Sequence, residues 1–98
     1  MTRVLHVLDH SLPLQSGYTF RTRAILKAQE AMGIEVRAIT GQRHAAPAAQ
    51  ANPEVVDGLT FYRTPGAAQG LPLVREWAEV SALAERIVEA AREWRPDV

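Results

Sequence analysis

The sequence predicts an α/β fold built on a parallel sheet, and three observations carry that prediction. Val4-Leu5-His6-Val7-Leu8 is an almost unbroken apolar run, the pattern of a strand covered on both faces. Strand-like and helix-like segments then follow one another along the chain in the order that βαβ units produce. Finally, Arg95-Pro96-Asp97-Val98 follows the last helical stretch in the way such a helix hands over to the next parallel strand.

Each element has its own local signal. Arg3 to Leu8 reads as the first strand, and residues 9 to 17 as the loop that leaves it. From Tyr18 to about Met32, Phe20, Ala24, Ile25, Ala28 and Met32 recur at spacings of three and four, which predicts an amphipathic helix with that stripe inward and Gly33 closing it. Ile34 to Thr40 alternates apolar and charged residues, so this second strand is expected to be exposed on one side or to lie near the sheet edge. Residues 41 to 57 carry Gly, Gln, Ala, Pro and Asn without periodicity and read as a mobile loop. Asp57-Gly58 turns the chain into a third strand, Leu59 to Arg63, which Thr64-Pro65-Gly66 stops. A long helix from Pro72 to about Trp94 carries a narrow seam of Leu73, Trp77, Val80, Ala84, Ile87, Ala91 and Trp94. Packing across the sheet is the plainer use of that seam; a coiled coil is the alternative, with two alanines and two tryptophans making a weak zipper. Together the order describes the first half of a Rossmann-like domain, a three-layer α/β/α arrangement entering its fourth strand, and so the N-terminal piece of a longer protein.

Composition narrows the classes of function. Ninety-eight residues make one small domain, and 47 % hydrophobic content is that of a folded chain. Eleven basic residues balance eleven acidic ones, which removes the basic excess expected of a nucleic-acid binder. Without cysteine there is no disulfide, no thiolate zinc site and no thiol nucleophile. No signal peptide or membrane span can be read, so the expected location is cytoplasmic, or peripheral to a membrane.

The junction between the first strand and first helix is where α/β proteins bind phosphorylated ligands, through the free N–H groups of a helix N-terminus. Here it lacks the Gly-x-Gly-x-x-Gly of dinucleotide folds, and the second strand ends at Thr40-Gly41 with no carboxylate for a ribose. It also lacks a Walker A loop, and Asp9 stands without the acidic cluster of a receiver domain. Ser16-Gly17 remains. Either the glycine lets a ligand phosphate approach the backbone, or it serves only to turn the chain into the helix.

The run Asp9-His10-Ser11-Leu12-Pro13-Leu14-Gln15-Ser16-Gly17-Tyr18-Thr19-Phe20-Arg21, with Gly33-Ile34-Glu35-Val36, Asp57 to Pro65 and Arg95-Pro96-Asp97-Val98, resembles the N-terminal, acceptor-side domain of retaining glycosyltransferases of the GT-B architecture. Within that group it is most similar to the subfamily associated with exosortase systems and exopolysaccharide synthesis. The resemblance covers nearly the whole chain. It implies two Rossmann-like domains facing a cleft, a nucleotide-sugar donor and a glycan or lipid-linked acceptor as substrates, and no metal or other cofactor. It places Ser16 and Gly17 at the family's Gly-Gly loop beside the donor diphosphate, with serine standing for the first glycine. It also sets His10, Tyr18 and Arg21 on the acceptor side, with Arg23 nearby.

From the residues themselves, Arg21 reads equally as a solvated charge and His10 as a packing or capping loop residue. His6 reads as a core histidine with one partner, and His44 has no role. Because the histidine loop, the basic residues and the glutamate pair of the family have no counterparts here, no catalytic residue is assigned, and these 98 residues alone are expected to be inactive. The other class of function is a stand-alone interaction or dimerisation module without catalysis. In the family's strand order the first strand is central, with the second on one side and the fourth on the other, so lack of the fourth is expected to leave Val4 to Leu8 at an open edge, and open edges recruit other chains. A homo-oligomer through that edge or through the long helix is therefore expected.

Overall fold

A computed structural model describes residues 2–8, 16–41, 53–64 and 71–98. Six elements follow in the order β1 (Arg3–Leu8), α1 (Gly17–Ala31), β2 (Glu35–Thr40), β3 (Glu54–Val56), β4 (Leu59–Arg63) and α2 (Pro72–Trp94). They form a mixed α/β structure around one four-stranded sheet of order β1-β2-β4-β3. β1 and β4 both pair parallel with β2, with Val4 opposite Val36 and Ala38 opposite Phe61, whereas β3 pairs antiparallel with β4.

The alternation of side chains across the strands divides the core in two. Val36, Ala38, Leu59, Phe61 and Leu8 face α1 and meet its Leu26. Ile39 and Tyr62 face the other way and meet Ala90 and Trp94 of α2, with Leu5, Leu83 and Ile87 at the border. One helix thus covers each face of the sheet.

The strands are not distributed as their patterns suggest. β2 lies inside the sheet between β1 and β4, and Val36, Ala38, Ile39 and Thr40 are buried. Its charged residues are accommodated individually: Glu35 accepts a hydrogen bond from Arg3 Nε at 3.0 Å. Arg37 lies 4.9 Å from the Trp94 ring and donates to the Tyr62 hydroxyl at 2.6 Å. β1, apolar enough for an interior strand, has β2 on one side only. On its other side the chain's last residues bond to it in the parallel manner, Val98 N–H donating to Arg3 O at 3.2 Å and Val98 O accepting from Leu5 N–H at 2.9 Å. The β1 edge is therefore partly occupied.

Two further differences concern the loop and the first helix. Glu54–Val56, within the segment read as loop 41 to 57, form β3; residues 42–52 of that segment lie outside the described residues. α1 buries Thr19 and Leu26, while Phe20, Ala24, Ile25, Ala28 and Met32 face outward. The inward side is held by polar contacts. His6 Nε2 and Gln29 Oε1 are 2.7 Å apart, which supplies the one partner expected for this histidine. Arg23 and Lys27 reach over the β3–β4 turn, Arg23 Nε to the Asp57 carboxylate and Lys27 Nζ to the Asp57 carbonyl.

That turn has φ of 54° at Asp57 and 76° at Gly58, the two left-handed residues of a tight hairpin. The hydrogen bond from Arg23, helped by the charges of Arg23 and Lys27, holds the Asp57 carboxyl below the usual carboxylate range. A carboxylate depressed on folding stabilises the fold above its unfolded pKa, and that contribution disappears as pH falls through the folded value. Asn adopts the left-handed conformation as readily as Asp. Asp57→Asn is therefore expected to melt below the wild type at pH 7, and the two melting temperatures should converge as pH falls through the depressed Asp57 value.

α2 begins with Pro72 at its first turn and ends at Arg95, whose φ of 54° and N–H to Ala91 O at 2.8 Å close the helix. Only its second half lies on the sheet. Tyr62 and Trp94 alternate there with guanidinium groups, Arg86 being 5.2 Å from Tyr62, and Arg3 and Arg37 being 5.7 and 4.9 Å from Trp94. Leu73, Trp77 and Val80 of the expected seam stay exposed, for a geometric reason. At 1.5 Å per residue a 23-residue helix is about 34 Å long, whereas a six-residue strand spans about 20 Å, so the helix overhangs the sheet.

Candidate functional site

In parallel α/β sheets ligands sit beyond the carboxyl ends of the strands. Leu8, Thr40 and Arg63 mark that end here, and α1 starts from it. Ser16 is the N-cap of α1, in extended conformation with φ −156° and ψ 165°. Its Oγ accepts from Thr19 N–H at 3.1 Å and bonds the Thr19 hydroxyl at 3.1 Å. A serine in this position is thus a helix cap in its own right.

Gly17 opens the helix and is exposed. Its φ is outside the left-handed region, and a Cβ built on it would meet no atom within 4 Å. Neither the turn nor the packing of the described residues demands a glycine there. Its N–H, one of the orphan donors of a helix start, has no acceptor among the described residues.

The other expected site residues separate into three groups. Arg21 is exposed one turn along the helix from Gly17. Tyr18 is half-buried and packs against the α1-side core, so part of its ring is structural. Arg23 does not join the site, because it bonds to Asp57 at the opposite end of the sheet, where β4 begins. His10 lies outside the described residues.

A polar cluster at the same carboxyl end was not anticipated. Arg63 Nη2 donates to Glu54 Oε1 at 3.1 Å, with the two side chains only 8 % and 11 % exposed. Arg63 Nη1 reaches Thr40 Oγ1 at 3.2 Å, and the Thr64 hydroxyl donates to Thr40 O at 2.7 Å. Glu54 Oε2 is buried, with no hydrogen-bond partner among the described residues. Burial pulls the Arg63 guanidinium down from its ordinary pKa, while the hydrogen bond and charge of Glu54 oppose that pull. The available signal was positional: Thr40 and Arg63 are polar residues ending parallel strands.

The groups at this end of the sheet are an exposed helix N-terminus, a glycine with open space beside it and an arginine one turn along, and, separately, a buried ion pair between β3 and β4. Such a start favours an anion through its amides and helix dipole. Among the described residues no cluster of three or more His, Cys, Asp or Glu is placed to hold a metal ion. No helix among them is long and apolar enough to cross a membrane. Comparison of the chain with protein-family models, with curated proteins and with solved structures finds no match in any of the three.

Proposed function

We propose that this chain is the acceptor-side part of a retaining glycosyltransferase of the GT-B architecture, its α/β/α layers being the first half of a Rossmann-like domain. The full-length enzyme transfers a sugar from a nucleotide-sugar donor to a glycan or lipid-linked acceptor in exopolysaccharide or cell-envelope synthesis, in the cytoplasm or at the membrane surface. One observation carries the reading beyond the sequence resemblance: Gly17 is a glycine that the described part of the chain does not itself require. At the exposed start of a helix, that leaves the approach of a ligand to the backbone as its use. Ser16 caps the helix, so the serine in place of the family's first glycine is compatible with the same loop.

In this role the amide of Gly17 faces the donor diphosphate across the cleft, and Arg21 supplies positive charge on the acceptor side. Transfer requires stabilisation of the departing nucleoside diphosphate by groups from both domains. The 98 residues alone are accordingly expected to turn over no nucleotide sugar.

The full-length protein tests the proposal when assayed with a panel of nucleotide sugars. Gly17→Leu is expected to reduce transfer by about two orders of magnitude, the scale of a lost positioning contact. The melting temperature should stay near the wild-type value, because a Cβ added at Gly17 meets no atom within 4 Å. Unchanged turnover in Gly17→Leu, or no turnover of any nucleotide sugar by the wild type, would overturn it.

A further inference from the structure

Along the outward side of α2, Leu73, Trp77, Val80, Ala84 and Val88 recur at spacings of three and four with no charged residue among them. All five are exposed, Leu73 by 81 % and Trp77 by 75 %. The stripe is about 22 Å long at 1.5 Å per residue. Its large side chains leave roughly 600 Å² open per chain, close to the roughly 800 Å² that each partner contributes to a standard interface. Scattered apolar residues on a surface are ordinary, but a continuous patch of this size marks an interaction face.

We infer that this stripe pairs, antiparallel and about a two-fold axis between Val80 and Ser81, with the same stripe of a second copy of the chain. Two points select a second copy. The open area, roughly 600 Å² against the roughly 800 Å² that each partner contributes to a standard interface, is close to the size one interface needs. The register is also self-complementary: an axis between Val80 and Ser81 sets Trp77 against Ala84 of the partner subunit and Leu73 against Val88 of the partner subunit, large against small at the indole. Such a contact is isologous and closes as a dimer. The alternative surface, the edge of β1, is partly taken by the bonds to Val98.

This pairing is independent of the glycosyltransferase proposal, because its readout is mass and not turnover. Light scattering of the chain at tens of micromolar is expected to give twice the monomer mass, and Trp77→Glu to return it to the monomer mass. Trp77 is exposed, so far-UV circular dichroism of Trp77→Glu should match the wild type. The chain has no cysteine, so Ser81→Cys carries a single thiol close to the axis. Mild oxidation should link Ser81→Cys into a covalent dimer, and should link Met32→Cys, exposed on α1, far less. A monomer at these concentrations overturns the inference. So does a dimer that survives Trp77→Glu, or one in which Ser81→Cys does not cross-link faster than Met32→Cys.

Discussion

Glu54→Ala is expected to cost about 3 kcal/mol of stability, the range found when one partner of a buried ion pair is removed. Arg63 cannot shed its proton to escape, since an arginine stays charged at any ordinary pH. Its side chain is only 8 % exposed, and Glu54→Ala removes the carboxylate to which Nη2 donates, while Thr40 Oγ1 and the Phe61 ring, 4.5 Å away, stay beside it. The pair itself is not an optimum, because Glu54 Oε2 is buried and meets no donor among the described residues. The double substitution Glu54→Leu with Arg63→Met should therefore recover most of the loss, to within about 1 kcal/mol of the wild type. Urea unfolding checks both variants. Equal losses in the single and double variants would mean that the charges are not coupled and that only the packing of the side chains matters here.

The second large effect belongs to Trp94. It is buried against Ile39, Tyr62 and Ala90, and lies between Arg3 and Arg37. Trp94→Ala removes the largest side chain of the α2-side core and should cost about 3–5 kcal/mol. The rest of its seat is confined to Leu83, Arg86, Ile87 and Ala90 in its second half, because its first half extends beyond the sheet. Circular dichroism should therefore show a loss of helix as well as a lower urea midpoint. Trp77→Ala provides the contrast. In dilute solution, where dimers are dissociated, it should change stability by less than about 0.5 kcal/mol, as surface substitutions do. If the two tryptophans proved equally costly, the seat of α2 on the sheet would have to be redrawn.

The sequence was legible where a local conformation is imposed by one or two residues. Asp57-Gly58 became the left-handed turn, Gly33 closed α1 with φ of 85°, and Pro72 opened α2. Element order was legible too, because apolar run length and helical spacing change from segment to segment. The orientation of α1 was not. Its alanines fit either face, and its inward side is made of Thr19, Arg23, Lys27 and Gln29 around Leu26. Arg23, Lys27 and Gln29 lie on that side because their polar ends meet Asp57 and His6, which are remote in sequence, while their stems cover apolar surface; Thr19 bonds locally to Ser16. Hydrophobic periodicity registers none of this.

β2 misled for a related reason. Arg37 looked like a solvent-facing residue, but an aromatic pair from β4 and α2 takes its planar head. β3, three residues long, is too short to carry a period. At the site, Ser16 and Gly17 were visible as a loop-to-helix junction, and the structure adds that one is a cap and the other faces open space. The Glu54–Arg63 pair joins residues nine positions apart on adjacent strands, and no spacing rule singled it out.

The bonds of Val98 to β1 have a consequence for the order of folding. β1 is held on one side by β2, about thirty positions away, and on the other by a segment 94 positions away, Asp97 N–H also donating to Arg3 O at 2.8 Å. Closing a loop costs entropy that grows with its length, and that cost is met before the contacts return any energy. The β2–β4 centre, with its nearby hairpin, has the shorter loops to close. β1 should thus be the last strand to lock into place, and the Leu5 amide is the group whose protection marks the end of that process.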